Sequence, residues 1–128
     1  MQTRVTNGIK VSVISKYEPD YSSPVQQHYV FTYRIFIENK SEYTVQLLAR
    51  HWYIYDSNGK VIEVQGEGVI GQQPVLEPGE IHQYVSGSNL KTSMGKMKGH
   101  YLMERVFDGA KFEVEIPEFS LIVPFKLN

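Results

Sequence analysis

Apolar residues in this chain recur at every second position and almost nowhere at every third or fourth. Tyr29, Phe31, Tyr33, Ile35 and Ile37 share one parity, while His28, Thr32, Arg34 and Glu38 take the other. Successive strand side chains point to opposite faces, so this run has one face made for a core. Ile9, Val11 and Val13 alternate with Lys10 and Ser12, and Phe112, Val114 and Ile116 alternate with Lys111, Glu113 and Glu115. Met97, Gly99, Tyr101 and Met103 form one side of another strand. No segment keeps a 3.6-residue apolar period, so little or no helix is expected. Turn chemistry punctuates the strands: Asn39-Lys40-Ser41, Asp56-Ser57-Asn58-Gly59, Glu77-Pro78-Gly79-Glu80 and Asp108-Gly109. Pro117 is expected to end one strand, leaving Phe119, Leu121 and Val123 as a short last one, which Pro124 places at an edge. Seven or eight short strands at this spacing predict an all-β fold, an immunoglobulin-like sandwich of two antiparallel sheets. Residues 1–128 are expected to form a single domain, with Tyr29, Phe31, Trp52, Tyr101 and Phe112 as the large core side chains.

The chain has 128 residues, of which 41% are apolar, enough for one independent core. Its net charge is −1, from 13 basic and 14 acidic residues, which argues against nucleic-acid binding by bulk phosphate neutralisation. There is no cysteine, which removes disulfides, thiolate catalysis and cysteine-based zinc sites together. The N-terminus has no basic-then-apolar leader pattern, and no apolar run is long enough to span a membrane. A cytoplasmic location is expected.

The motifs offer little chemistry. Gly66-Glu67-Gly68-Val69-Ile70-Gly71 matches G-x-G-x-x-G, but Gln72-Gln73-Pro74 follows where a dinucleotide fold needs a helix. Two readings of the loop stand: a tight connection that uses glycine for backbone geometry, or a nest of backbone amides that binds an anion without a helix. The four histidines, His28, His51, His82 and His100, show no paired spacing and are expected to stand apart on their strands, so no metal site is assigned. Glu113 and Glu115 share a face, and Lys96 and Lys98 are expected across from them. Ser86-Gly87-Ser88 lies near His82 in sequence, but strand residues four apart are about 13 Å apart, too far for a base and its nucleophile. No catalytic residue and no cofactor is assigned.

In the run Val45 to Tyr55, read as a strand, Leu47-Leu48-Ala49 blurs the alternation as a bulge or burial on both faces would. Alternation sends Arg50 and Trp52 one way and His51 the other. With Trp52 in the core, Arg50 points inward unless a bulge re-aims it, and a partly buried arginine needs an acid or a ligand. Nine tyrosines exceed what the core consumes; Tyr17, Tyr21, Tyr43, Tyr53 and Tyr55 serve either a binding surface or cross-strand packing on an outer face.

The runs Thr6-x-Gly8-Ile9, Val45-Gln46-Leu47-Leu48-x-Arg50-His51-Trp52, Gly66-x-Gly68-Val69-x-Gly71-x-Gln73-Pro74, Pro78-Gly79-Glu80, Ser86-Gly87 and Gly95-x-Met97-x-Gly99-x-Tyr101 closely resemble the bacterial ApaG family. The similarity continues to Ile116-Pro117-x-Phe119-x-Leu121; Ser93 departs from it, standing where the family has a proline after Thr92. The resemblance implies a fibronectin type III-like sandwich and a relationship to ApaG domains of eukaryotic F-box proteins and of a DNA-polymerase-delta-interacting protein, regarded as protein-interaction modules. It carries an association with cobalt and magnesium efflux and, by gene neighbourhood, with diadenosine tetraphosphate hydrolysis. The expected function is therefore a non-enzymatic domain that binds a protein partner. The alternative is a nucleotide or pyrophosphate sensor in which Gly66, Gly68, Gly71 and Arg50 hold a small phosphate ligand.

Overall fold

The computed structural model describes residues 1–124. The expectation of one domain over residues 1–128 reaches residues 125–128, which lie outside the described residues. The strands in chain order are β1 (Gln2–Thr6), β2 (Ile9–Tyr17), β3 (Tyr29–Asn39), β4 (Val45–Asp56), β5 (Val61–Glu67), β6 (Val75–Leu76), β7 (Ile81–Leu90), β8 (Met94–Arg105) and β9 (Lys111–Ile122). Two short 3-10 turns, Pro19–Tyr21 and Pro24–Gln26, lie between β2 and β3.

The strands form two antiparallel sheets. One has the order β1-β2-β3-β7 and the other β5-β4-β8-β9, with β6 beside β4 beyond the end of β5. The alternation read from the sequence sets the inner faces. Ile9, Val11 and Val13 on β2 and Phe31, Tyr33, Ile35 and Ile37 on β3 are buried against Trp52, Met97, Tyr101, Met103, Val114 and Ile116 of the facing sheet. Burying each such side chain stabilises the fold by about 1.5–3 kcal/mol. Phe31, Trp52 and Tyr101 are fully in this core, whereas Tyr29 and Phe112 pack against its margin and are partly buried. Asn39 is buried at one end of β3. Its Nδ2 donates to the carbonyls of Tyr43 (2.7 Å) and Leu76 (2.9 Å), tying the turn after β3 to β6.

Two features depart from the sequence reading. The strand β1 was not expected. It carries no apolar alternation and is largely exposed, held to β2 by a hairpin at Asn7 (φ 51°) and Gly8 (φ 78°). Pro117 does not end a strand: β9 runs through it, because the register against β8 shifts between Met97 and Gly99, leaving Pro117 in a bulge on an edge strand. A proline at such a place gives up no ladder hydrogen bond. The outer edge of β9 is held by side chains of the other sheet: Asn7 Nδ2 donates to the Glu113 carbonyl (3.4 Å) and Ser15 Oγ to the Ser120 carbonyl (3.2 Å), while Thr6 Oγ1 accepts from the Glu115 amide (3.3 Å).

Candidate functional site

The register of β4 against β8 shifts between Leu47 and Ala49, the bulge that the blurred alternation suggested. The extra residue changes which parity faces the core. Val45 and Leu47 point inward before the bulge and Trp52 after it, so Arg50 shares the inner face with Trp52. Its guanidinium lies against Gly66 of β5, where Nη1 donates to the carbonyls of Glu67 (3.1 Å) and Gly68 (2.9 Å). Among the described residues no carboxylate comes within 4.0 Å of it.

Arg50 lies in a lateral opening of about 290 Å³ where β5 and β7 leave the sandwich unclosed. Tyr33, Tyr84, Ser86, Val64, Ile70 and Gly71 also line it, and Arg50 is the one charged side chain of the lining. Behind it, the hydroxyls of Tyr84 and Tyr101 share a hydrogen bond of 2.5 Å. Burial pushes the phenols of Tyr33, Tyr84 and Tyr101 above their ordinary range, and the positive charge of Arg50 opposes this only in part. All three therefore stay neutral. The opening presents one cation, neutral hydroxyls and apolar walls. That composition suits a carboxylate or phosphate, and the lining holds neither a general base nor a nucleophile activated by one.

The glycine loop forms the rim. After β5 the chain leaves β4, makes an excursion over residues 68–74 and returns as β6. Val69 and Gln72 exchange both backbone bonds (2.8 and 3.0 Å) around Ile70 (φ 48°) and Gly71 (φ 71°), a type I′ turn. The bulge holds this loop in place: the Leu48 carbonyl accepts from the Gly68 amide (2.8 Å) and from Gln73 Nε2 (2.9 Å). Each glycine has its own geometric reason. A Cβ at Gly66 would meet the Arg50 guanidinium at 2.9 Å, and one at Gly68 would meet the Gln72 carbonyl oxygen at 2.2 Å. Gly71 has open space around it and needs only its positive φ. The amides of Gly68, Val69 and Gln72 are taken by protein carbonyls, while those of Ile70 and Gly71 have no protein acceptor among the described residues. Of the four residues assigned from sequence, Arg50 and Gly66 are in contact, Gly68 lends its carbonyl to Arg50, and Gly71 sits on the rim of the same opening.

The sequence model of the ApaG domain matches residues 19–105. The chain belongs to the ApaG family. Protein ApaG from Brucella canis and Protein ApaG from Brucella anthropi are each 52% identical to it over 124 residues, covering 97% of this chain and 95% of theirs. A crystal structure of the ApaA protein from Bordetella pertussis superposes with a TM-score of 0.88 at 45% identity, covering 92% of this chain and 95% of that one. The fold is thus the ApaG β-sandwich over nearly the whole chain.

The outer face of the β5-β4-β8-β9 sheet in this ApaG chain departs from the sequence reading in two places. His51 and His100 do not stand apart: they are direct partners on β4 and β8, with ring centroids 5.0 Å apart. His51 Nε2 donates to Glu63 Oε1 at 2.7 Å, and His100 Nε2 lies 3.8 Å from Glu113 Oε1. The pairing follows from the strand register, which single-strand periodicity does not contain. Lys96 pairs with Glu118 (3.4 Å) rather than with Glu113 or Glu115, because the register sets Glu115 opposite His100 and Glu113 opposite Leu102, while Lys96 lies opposite Ser120. Lys96 and Lys98 both lie over the ring of Tyr55, which with Tyr53 is half-buried on this face, while Tyr21 and Tyr43 are exposed. Among the described residues there is no group of three or more His, Asp or Glu placed to hold a metal ion, and no helix long and apolar enough to cross a membrane.

Proposed function

We propose that this domain is a non-enzymatic binding module that holds a protein partner at the lateral opening between β5 and β7. The observation that supports this most is the inward guanidinium of Arg50 with no carboxylate beside it. A partly buried charge is unfavourable until it is paired, and arginine in a tyrosine-lined recess is a composition enriched at interface hot spots. The neutral phenols around it support binding over turnover, since nothing in the lining can take a proton near neutral pH. The association with cobalt and magnesium then runs through the partner rather than through ligation by this chain.

A second reading is favoured by one specific observation. The unoccupied amides of Ile70 and Gly71 share a rim with Arg50, a set of donors that suits a small phosphate or pyrophosphate. One pair of experiments separates the two. A thermal-shift screen against ATP, GTP, diadenosine tetraphosphate, pyrophosphate, magnesium and cobalt should be flat for a partner-binding module. A true ligand at a hundred times its Kd adds about 2.7 kcal/mol, or roughly 10 °C for a domain of this size. Affinity capture with the wild-type chain and Arg50→Gln as parallel baits should give a protein retained by the first and lost by the second. A pyrophosphate shift abolished by Arg50→Gln would replace the partner reading with the sensor.

A further inference from the structure

The two sheets have four outer edges, and three of them are protected. At one, β1 is only five residues long and carries Arg4. At the second, β9 holds Lys111, Glu113, Glu115, Pro117 and Glu118, is bulged, and has side chains of the other sheet on its backbone. At the third, β5 carries Glu63 and Glu67 and breaks off into the glycine loop. These are the devices by which sheets avoid pairing with other chains: short strands, charges, proline, bulges and covering groups.

The fourth edge has none of them. The ten residues of β7, Ile-His-Gln-Tyr-Val-Ser-Gly-Ser-Asn-Leu, include no proline and no Asp, Glu, Lys or Arg. Every position pairs with β3 without a register shift, so the strand is regular along about 33 Å. Its outward N–H and C=O groups have no partner among the described residues. The inward row, His82, Tyr84, Ser86 and Ser88, is only half-buried, and Tyr84 and Ser86 line the opening that contains Arg50.

Resting on the partner-binding reading, we propose that β7 accepts an extended segment of the partner protein as a fifth strand of its sheet, and that an Asp or Glu side chain of that segment pairs with Arg50. A strand laid beside β7, about 4.8 Å further out, closes the open side of the sandwich and sends alternate side chains into the opening. Main-chain bonds to β7 supply affinity, and the carboxylate supplies selectivity. A second copy of this chain is the poorer occupant: β7 brings no acid, so self-pairing leaves Arg50 as it is.

The test is selection of a phage-displayed library of random twelve-residue peptides on the immobilised full chain. Enriched peptides are expected to alternate β-branched residues and to share one Asp or Glu. In a synthetic copy of the best binder, changing that acid to its amide should weaken binding about ten- to hundred-fold, the loss of one charge-assisted bond. Arg50→Gln should weaken the acidic peptide equally and the amide peptide hardly at all, whereas Arg50→Lys should restore part of the preference. Bound peptide should slow amide hydrogen exchange within Ile81–Leu90, and Ser88→Lys, an inward charge on the edge, should abolish binding. Binders that leave β7 exchange unchanged, or that map to the His51 and Tyr53 face, overturn this inference while leaving the partner-binding reading in place. A library with no binder overturns it too, and if no partner is captured either, both fail. A dimer that protects β7 without any peptide overturns the acidic occupant in favour of self-pairing.

Discussion

Alanine at Gly68 and alanine at Gly71 should have very different effects, although both positions belong to one glycine motif. Gly68 has φ 62°, and its added Cβ would lie 2.2 Å from the Gln72 carbonyl oxygen, the acceptor of the Val69 amide. The left-handed backbone costs an alanine about 1–2 kcal/mol. The contact is with backbone, so no rotamer change relieves it; the turn must move, loosening the bonds that hold it to Leu48, for about another 1–3 kcal/mol. Gly71 has φ 71° and nothing within 4 Å, so only the backbone contribution remains. Both variants regain about 0.4–1 kcal/mol from a less flexible unfolded chain, which cancels when they are compared. Gly68→Ala should therefore be about 1–3 kcal/mol less stable than Gly71→Ala, a difference of roughly 4–12 °C in Tm. Urea unfolding and thermal unfolding followed by circular dichroism both measure it. Equal destabilisation of the two variants would refute the close approach at Gly68. For the same reason a Gly68→Val variant cannot separate phosphate binding from folding.

Two further outcomes follow from the hydrogen bonds described above or beside them. Tyr84→Phe leaves the buried Tyr101 hydroxyl without its partner and should cost about 1–3 kcal/mol, while the double variant with Tyr101→Phe should cost less than the sum of the singles, as a double-mutant cycle in urea would show. The carboxylate of Asp56 is disfavoured by partial burial, but bonds from Thr92 Oγ1 and from the amides of Lys91, Ser57 and Thr92 outweigh this and hold its pKa below the usual value. A lowered folded-state pKa gives stability that is complete above the unfolded value, about 3.9, and is lost as pH falls through the folded one. Asp56→Asn should thus be less stable than wild type at pH 7, with the gap closing below about pH 4; a gap independent of pH would refute that account.

The alternation of β2 and β3, the hairpin at Gly59 and the inward direction of Arg50 were all legible in the sequence, because each depends on spacing within one strand or on one turn. What depends on pairing between strands was not. The contact of His51 with His100 needs the β4–β8 register, and the salt bridge of Lys96 with Glu118 needs the β8–β9 register. The hairpin of β1 did leave a signal, the Asn7-Gly8 dipeptide, whose positive angles suit a two-residue turn, but an exposed strand with no apolar face gives periodicity nothing to detect. The candidate site was half visible: its charge could be foreseen, while the gap between β5 and β7 that makes it a site arises from the packing of one sheet on the other.

The single extra residue near Leu48 acts on β4 as a phase shift acts on a wave. Upstream and downstream of it, odd and even positions exchange roles. A substitution at Arg50 edits one side chain, whereas deleting Leu48 would leave Arg50 and Trp52 facing inward, make the ladder with β8 regular, and remove the bulge whose carbonyl accepts from the Gly68 amide and from Gln73 Nε2. The faces of β4 therefore survive the loss of the extra residue, and it is the rim of the opening, hung from the Leu48 carbonyl, that would come loose.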